Sequence, residues 1–291
     1  FRSNTTADYN TAVGHQALFN NTTGTQNNAF GAASLYTNST GSYNTSIGQA
    51  AMYYNETGSN NTAVGDNALI ANTTGANNVC NGYQSGDGIT TGSHNSFYGA
   101  ETGSSTVTTT TGIGNSLLGT FAHTSAAGDN YANGIGYDIN AEGGYTTLGK
   151  GVNDIRAAHG NVTWSTVSDE RVKKDIQDST AGLNFINDLR PRTFKYKTKG
   201  ELPEEFNSYQ EGSTEVYKNS KTNHGFIAQE VKEAIEKHPE ISDGFSMWDV
   251  RETGQQEVGE AAVIPVLVKA VQELSTQVDE LKAELKTLKG E

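Results

Sequence analysis

Ser168 and Lys173 are the two residues of this chain whose pairing could break a covalent bond. A serine hydroxyl is a weak nucleophile until a base takes its proton, and a lysine stripped of water can serve as that base. The five-residue spacing does not itself bring them together: in an ideal α-helix it leaves the side chains about 140° apart around the axis. They meet if Ser168 belongs to a turn ahead of the helix, or if Lys173 comes from a neighbouring subunit. The ordinary alternative is a serine that caps a helix carrying lysines on its solvated face. Spacing leaves both readings open.

The elements that would position this pair follow from composition. Thr163-Trp-Ser-Thr-Val167 is β-branched and aromatic and predicts a strand. Ser168-Asp169 predicts a turn or helix cap, and Glu170 to Ile176 the beginning of a helix. The same stretch divides the chain into two materials. Residues 1–167 carry 12 charged side chains, three basic and nine acidic, whereas the 124 residues that follow carry 41, of which 17 are basic and 24 acidic. A chain of 291 residues has room for about two domains, and the charge break puts their boundary near residue 160.

A net charge of −13 argues against nucleic acid or an anionic membrane surface as partner. No apolar run approaches the length of a membrane span, so membrane insertion is not expected; no secretion signal opens the chain, which starts at Phe1 and reads as a fragment. The single cysteine, Cys80, excludes an intrachain disulfide framework and a multi-cysteine zinc site. No cofactor and no metal are expected.

The first half is a repeat. Glycines recur every 17 residues at 14, 31, 48, 65, 82 and 99, each closing a phrase such as Asn10-Thr-Ala-Val-Gly14 or Asn44-Thr-Ser-Ile-Gly48. Leu18, Leu35, Met52 and Leu69 keep the same phase, as do Asn21, Asn38, Asn55 and Asn72. Seventeen residues with two glycine breaks are too short for a helical hairpin. Two short strands joined by tight turns fit better, the asparagines and glycines taking the turn positions. Val13, Phe30, Ile47 and Val64, with the leucines and Met52, are the expected core stripe. The Asn-x-Thr/Ser sites at Asn21 and Asn38 read as turn asparagines rather than glycosylation acceptors. A Thr-rich insertion, Ser104 to Thr111, breaks the phase, and Asn115-Ser-Leu-Leu-Gly119 resumes it three residues late. So polar a coil has a thin core, which predicts three chains packed together. The repeat resembles the head repeats of trimeric adhesins and the shafts of phage tail fibres.

The second half is of a different kind. Ile227, Val231 and Ile235 recur at steps of four and predict an amphipathic helix; the nearby His224 reads as structural. Glu201 to Asn223 reads as a loop or β-excursion. From Ile264 onward, Ile264, Val271, Val278 and Leu285 alternate with Leu267, Leu274, Leu281 and Leu288 in a coiled-coil seam, flanked by Glu284 and Lys289.

Ser168-Asp-Glu-Arg171-Val-Lys173-Lys-Asp-Ile176 resembles the signature of the intramolecular chaperone domain of phage tailspikes and tail fibres, the endosialidase-type autoproteases. Leu183-Asn-Phe-Ile-Asn-Asp-Leu-Arg-Pro191, Thr193-Phe-Lys-Tyr196 and His224-Gly-Phe-Ile-Ala-Gln-Glu-Val231 are similar to its inner motifs, so the likeness covers about residues 160–291. The resemblance implies Ser168 as nucleophile, Lys173 as general base, Asp169 and Arg171 as residues that hold the turn, and a cut beside Ser168, with Val167–Ser168 favoured over Ser168–Asp169.

The expected architecture is therefore an all-β trimeric β-solenoid or β-helix shaft over residues 1–120, a β-rich tip or neck over 121–160, and an α+β chaperone over 161–291 with a coiled coil over 264–289. The expected function is a phage tail-fibre or tailspike tip whose chaperone assembles a homotrimer and then releases itself as a single-turnover Ser–Lys endopeptidase. No turnover on external substrates is expected. The shaft would bind a host surface receptor, glycan or protein, from the virion tail after synthesis in the host cytoplasm. The alternative is a trimeric bacterial surface adhesin with a permanent C-terminal stalk. A glycan-cleaving spike would need paired carboxylates, and Asp66, Asp87 and Glu101 stand isolated in the sequence.

Overall fold

A computed structural model describes residues 3–104, 109–161, 163–241, 243–251 and 254–289. Residues 105–108 of the Thr-rich insertion lie outside the described residues. The chain forms two compact units, Phe1–Val172 and Lys173–Glu291.

The first unit is a β-solenoid. One strand is laid down per coil: β1 (Thr11–Val13), β2 (Asn28–Phe30), β3 (Thr45–Ile47), β4 (Thr62–Val64), β5 (Val79–Asn81), β6 (Ser96–Tyr98) and β7 (Ser116–Leu118). Beyond them come β8 (His123–Thr124), β9 (Asn133–Tyr137), β10 (Asn140–Ala141), β11 (Tyr145–Lys150) and β12 (Asn153–Ala158). β1 to β7, β9, β11 and β12 make one ten-stranded sheet, parallel throughout except for the antiparallel β11–β12 pair.

The second segment of each coil is not a strand, in contrast to the two strands expected. Leu18, Leu35, Met52 and Leu69 lie in the left-handed region at φ 49–52° and are fully buried. These turns are held by bonds between coils, such as Leu18 N–H to the Ser34 carbonyl at 3.0 Å. The coil must bend sharply over few residues, and bending a strand there would leave its ladder unpaired.

The core also differs from the expected stripe. The middle residue of each strand points inward: Ala29, Ser46, Ala63, Cys80 and Phe97 are fully buried, together with the left-handed leucines and Met52. Val13, Phe30 and Ile47, expected inside, are 55%, 41% and 41% exposed. Side chains alternate across a strand, so with the middle residue inside, its neighbours face outward.

Polar ladders complete this thin interior. Asn55 Nδ2 donates to Asn38 Oδ1 at 2.7 Å and to the Gly58 carbonyl at 3.0 Å, and Asn72 Nδ2 donates to Asn55 Oδ1 at 2.6 Å. A second ladder runs through Asn27, Asn44 and Asn61, each side chain also bonding a glycine carbonyl of the next coil. Asn21 and Asn38 are fully buried in the first ladder, as turn asparagines.

The second unit contains α1 (Leu183–Asp188), β13 (Arg192–Phe194), β14 (Asn223–Gly225), α2 (Ala228–Glu236), β15 (Trp248–Val250), β16 (Gln256–Val258) and the 26-residue α3 (Ile264–Lys289). β13 pairs with β14 and β15 with β16, both antiparallel. Ala181, Phe185, Val231, Ala234, Met247, Val263 and Val266 form the core. α3 contributes only Val266 and Ala270 to the buried set.

Candidate functional site

Ser168 follows the edge of the solenoid sheet. Ser165 and Arg156 exchange backbone hydrogen bonds of 2.7 and 2.8 Å in an isolated antiparallel bridge, and Thr166 Oγ1 donates to the Asp154 carbonyl at 3.2 Å. The strand expected over Thr163–Val167 is thus reduced to one bridge. Trp164 and Val167 are 50% and 60% exposed, so nothing here buries the apolar residues that would extend it.

Asp169 then closes a tight turn. Its carboxylate accepts the Arg171 backbone N–H at 2.8 Å and the Arg171 guanidinium through Nε at 2.9 Å and Nη2 at 2.5 Å. The Arg171 guanidinium first, and its backbone N–H second, hold the Asp169 carboxyl below the usual range. The α-helix expected from Glu170 to Ile176 stops at a single 3₁₀ turn, Glu170–Val172. Val172 and Ile176 are 70% and 66% exposed and Asp175 is left-handed, so an extension would have no face to pack.

Ser168 and Lys173 are both exposed, on either side of this turn. Ser168 belongs to the first compact unit and Lys173 opens the second. The Val167–Ser168 peptide therefore lies in exposed, irregular backbone ahead of the turn that Asp169 and Arg171 build.

Downstream of the turn, local sequence accounts for one side of each contact and the fold supplies the other. Arg192, after the helix-ending Arg190-Pro191, grips Glu230 of α2 through two hydrogen bonds of 2.9 and 2.6 Å. The Arg192 bonds hold the Glu230 carboxyl below its ordinary value. Glu230 lies in the His224–Val231 motif, so that motif anchors α2 to β13. His224 itself stands exposed in β14 opposite Thr193. Among the described residues, no cluster of His, Cys, Asp or Glu could hold a metal ion, and no helix is long and apolar enough to cross a membrane.

Two contacts escaped sequence reasoning. The Leu183 N–H at the start of α1 donates to Glu273 Oε2 of α3 at 2.8 Å, a cap supplied from 90 residues away. His238 Nε2 lies 2.8 Å from Asp188 Oδ2 and its Nδ1 3.0 Å from Glu240 Oε1, while its ring meets Phe185 edge-on. Burial opposes charging of His238, but the bonds to Asp188 and Glu240 outweigh it and raise the imidazole above its ordinary 6.5. No local spacing could have signalled either contact.

Residues 168–238 match a known family, the chaperone of endosialidase. The match begins at Ser168 and ends at His238, taking in the turn, α1, the β13–β14 pair and α2. A match to that family implies a self-cleaving peptidase domain and assembly of a homotrimer. No curated protein and no solved structure compared with the chain is similar to it.

Proposed function

We propose that the protein is the distal part of a phage fibre or tailspike, built as a homotrimer by its C-terminal segment and then cut by that segment at Val167–Ser168. The observation that carries this reading is positional: the family match starts at Ser168, five residues before the second compact unit begins. A cut there separates a nearly uncharged shaft from its charged assembly unit.

In the proposed step, Ser168 Oγ attacks the Val167 carbonyl carbon while Lys173 Nζ takes the hydroxyl proton. The C–N bond breaks as Lys173 passes that proton to the Ser168 nitrogen, which leaves as an amine, and an ester joins Val167 to Ser168 Oγ. Water then hydrolyses the ester, leaving a Val167 carboxylate and restoring the hydroxyl. A lysine that acts as a base must shed its proton first, and loss of solvent favours that. Ser168 and Lys173 are exposed in the single chain. Cover from neighbouring chains would therefore make cleavage follow assembly, with Lys173 acting within its own chain or across to the next.

α3 supports association of chains, although its β-branched and leucine heptad core would ordinarily suit a dimer, so the trimer rests on the solenoid and the family match. Its heptad residues Ile264, Leu267, Val271, Leu274, Val278, Leu281, Leu285 and Leu288 are 41–84% exposed along one seam. A bundle formed there raises the local concentration of three shafts, which shortens the search for non-local strand contacts. Once cut, the shaft is separated from the element that assembled it and is held kinetically. The mature shaft is then the receptor-binding part, carried on the virion tail.

Intact mass spectrometry after expression tests the reading. Fragments 1–167 and 168–291 are expected from wild type and a single species from Ser168→Ala and from Lys173→Ala. Persistent cleavage in both variants would sink the dyad. An uncleaved, trimeric wild type would favour the permanent adhesin stalk.

A further inference from the structure

The outward residues that left the expected core form a continuous ladder. Following the register strand by strand gives Val13, Phe30, Ile47, Val64, Asn81, Tyr98, Leu118, Ile135, Leu148 and Ile155, each directly beside the next. All are apolar or aromatic except Asn81. The parallel outward row runs Thr11, Asn28, Thr45, Thr62, Val79, Ser96, Ser116, Asn133, Thr146 and Ala157. Neither row contains a charged residue. At about 4.8 Å between strands the face runs on the order of 43 Å.

Seven of these side chains are 41–55% exposed in the single chain: Val13, Phe30, Ile47, Ile155, Tyr98, Leu118 and Ile135. Around the last three, with Ser96, Ser116 and Asn133, the face hollows into a groove of about 280 Å³. Single exposed apolar residues are ordinary, but an unbroken uncharged ladder along a sheet marks a contact surface.

We infer that this sheet face is the surface by which three copies of the shaft pack together, in register, along its length. The inference rests on the homotrimer reading above and names the residues that make it. Three observations favour the chain's own copies over another partner. The face repeats with the coil, so copies aligned at one height offer the same side chain at every rung, which an aperiodic partner would not. A chain of net charge −13 can meet itself without repulsion only where charge is absent. The acids of the coils, Asp8, Glu56, Asp66, Asp87 and Glu101, lie outside both rows.

Asn81 supplies register. Among apolar rungs it is the polar one, and in aligned copies the Asn81 amides meet one another. A slip of one coil would set each against Val64 or Tyr98 and leave its donors and acceptors unpaired, the same device by which a buried asparagine selects register in coiled coils.

Cysteine cross-linking of the full chain tests the face. Cys80 is fully buried and serves as an internal background. Under mild oxidation, Ile47→Cys is expected to form disulfide-linked dimers in up to two of every three chains, because one chain of each trimer is left over. Tyr43→Cys, 56% exposed on another row, is expected to stay monomeric on a denaturing gel. In parallel, Ile47→Lys with Ile135→Lys should yield a monomeric 1–167 shaft by light scattering, while fragment 168–291 remains trimeric and circular dichroism is unchanged. A wild-type chain that is monomeric throughout would overturn the homotrimer reading. A trimeric shaft that neither cross-links at Ile47→Cys nor dissociates in the lysine variant would overturn this face alone.

Discussion

The shaft and the C-terminal unit solve the same problem with opposite materials. The shaft has few charges and a thin interior, and it satisfies its backbone through asparagine ladders and bonds between coils. The C-terminal unit gathers aromatic and aliphatic residues around Phe185 and fastens its elements with ion pairs such as Arg192–Glu230. Yet each leaves one apolar stripe uncovered: the outward strand ladder in the shaft, the heptad seam in α3. A repeat of fixed period cannot finish its own hydrophobic burial, and association completes it.

The comparison is sharpest where the same substitution meets both materials. At Gly48, with φ +135°, a Cβ would overlap the backbone carbonyl of Gly65 in the next coil, where no rotamer can relieve it. Gly48→Ala is therefore expected to cost several kcal/mol and to abolish the trimeric shaft by light scattering. At Gly244, φ +74°, a Cβ meets nothing within 4 Å. Gly244→Ala is expected to cost about 1 kcal/mol, the penalty of the left-handed conformation alone, in urea unfolding of the C-terminal unit. Equal losses would remove the contrast.

Phe185→Ala empties the centre of the C-terminal core and is expected to cost about 3–5 kcal/mol. Asn55→Ala removes one rung of a buried ladder, leaving Asn38 Oδ1, the Gly58 carbonyl and Asn72 Nδ2 without that partner. Each unsatisfied buried group costs about 1–3 kcal/mol, so this polar loss should rival the aromatic one. A cost near zero for Asn55→Ala, measured by thermal unfolding of the shaft, would show that the ladder is not what holds the coils.

Glu273→Ala should cost about 1 kcal/mol, the ordinary worth of a helix cap, because the Leu183 N–H loses its acceptor. The smallest effect is a pH dependence of the C-terminal unit. The folded value of His238 is raised above 6.5, so its contacts with Asp188 and Glu240 stabilise fully below pH 6.5, and the gain is lost as pH rises through the raised value. The urea midpoint of the unit should fall as pH rises above 6.5, and His238→Gln should flatten that slope. The shaft should show a separate step at lower pH, because burial pushes the Asp87 carboxyl up to about 6 and its stabilising contribution is lost as pH rises through that value.

Much of this was legible in the sequence because it is periodic or local. The 17-residue spacing of glycines predicted a solenoid, and the chaperone signature fell where the family match begins, at Ser168. Asp169 and Arg171, two residues of that signature, are hydrogen-bonded to each other in the structure. What failed were inferences that needed a direction. Val13, Phe30 and Ile47 are as apolar as a core requires, but a three-residue strand has too little length for alternation to say which face is inside. Likewise β-branched content over Thr163–Val167 and the signal for a helix after Asp169 could not reveal that both stretches lack a surface to pack on.

The sequence alone determined the period of the shaft, the division of the chain into a sparsely and a densely charged half, and the heptads, since each is a property of spacing along the chain. Only the tertiary structure decided which residues of a coil face its neighbour and which face away. It also decided that Glu273 caps a helix 90 residues earlier and that Arg192 reaches Glu230. Those outcomes depend on coils stacking at one height and helices crossing at one point, and a one-residue shift in either would reverse the side chain without altering the pattern.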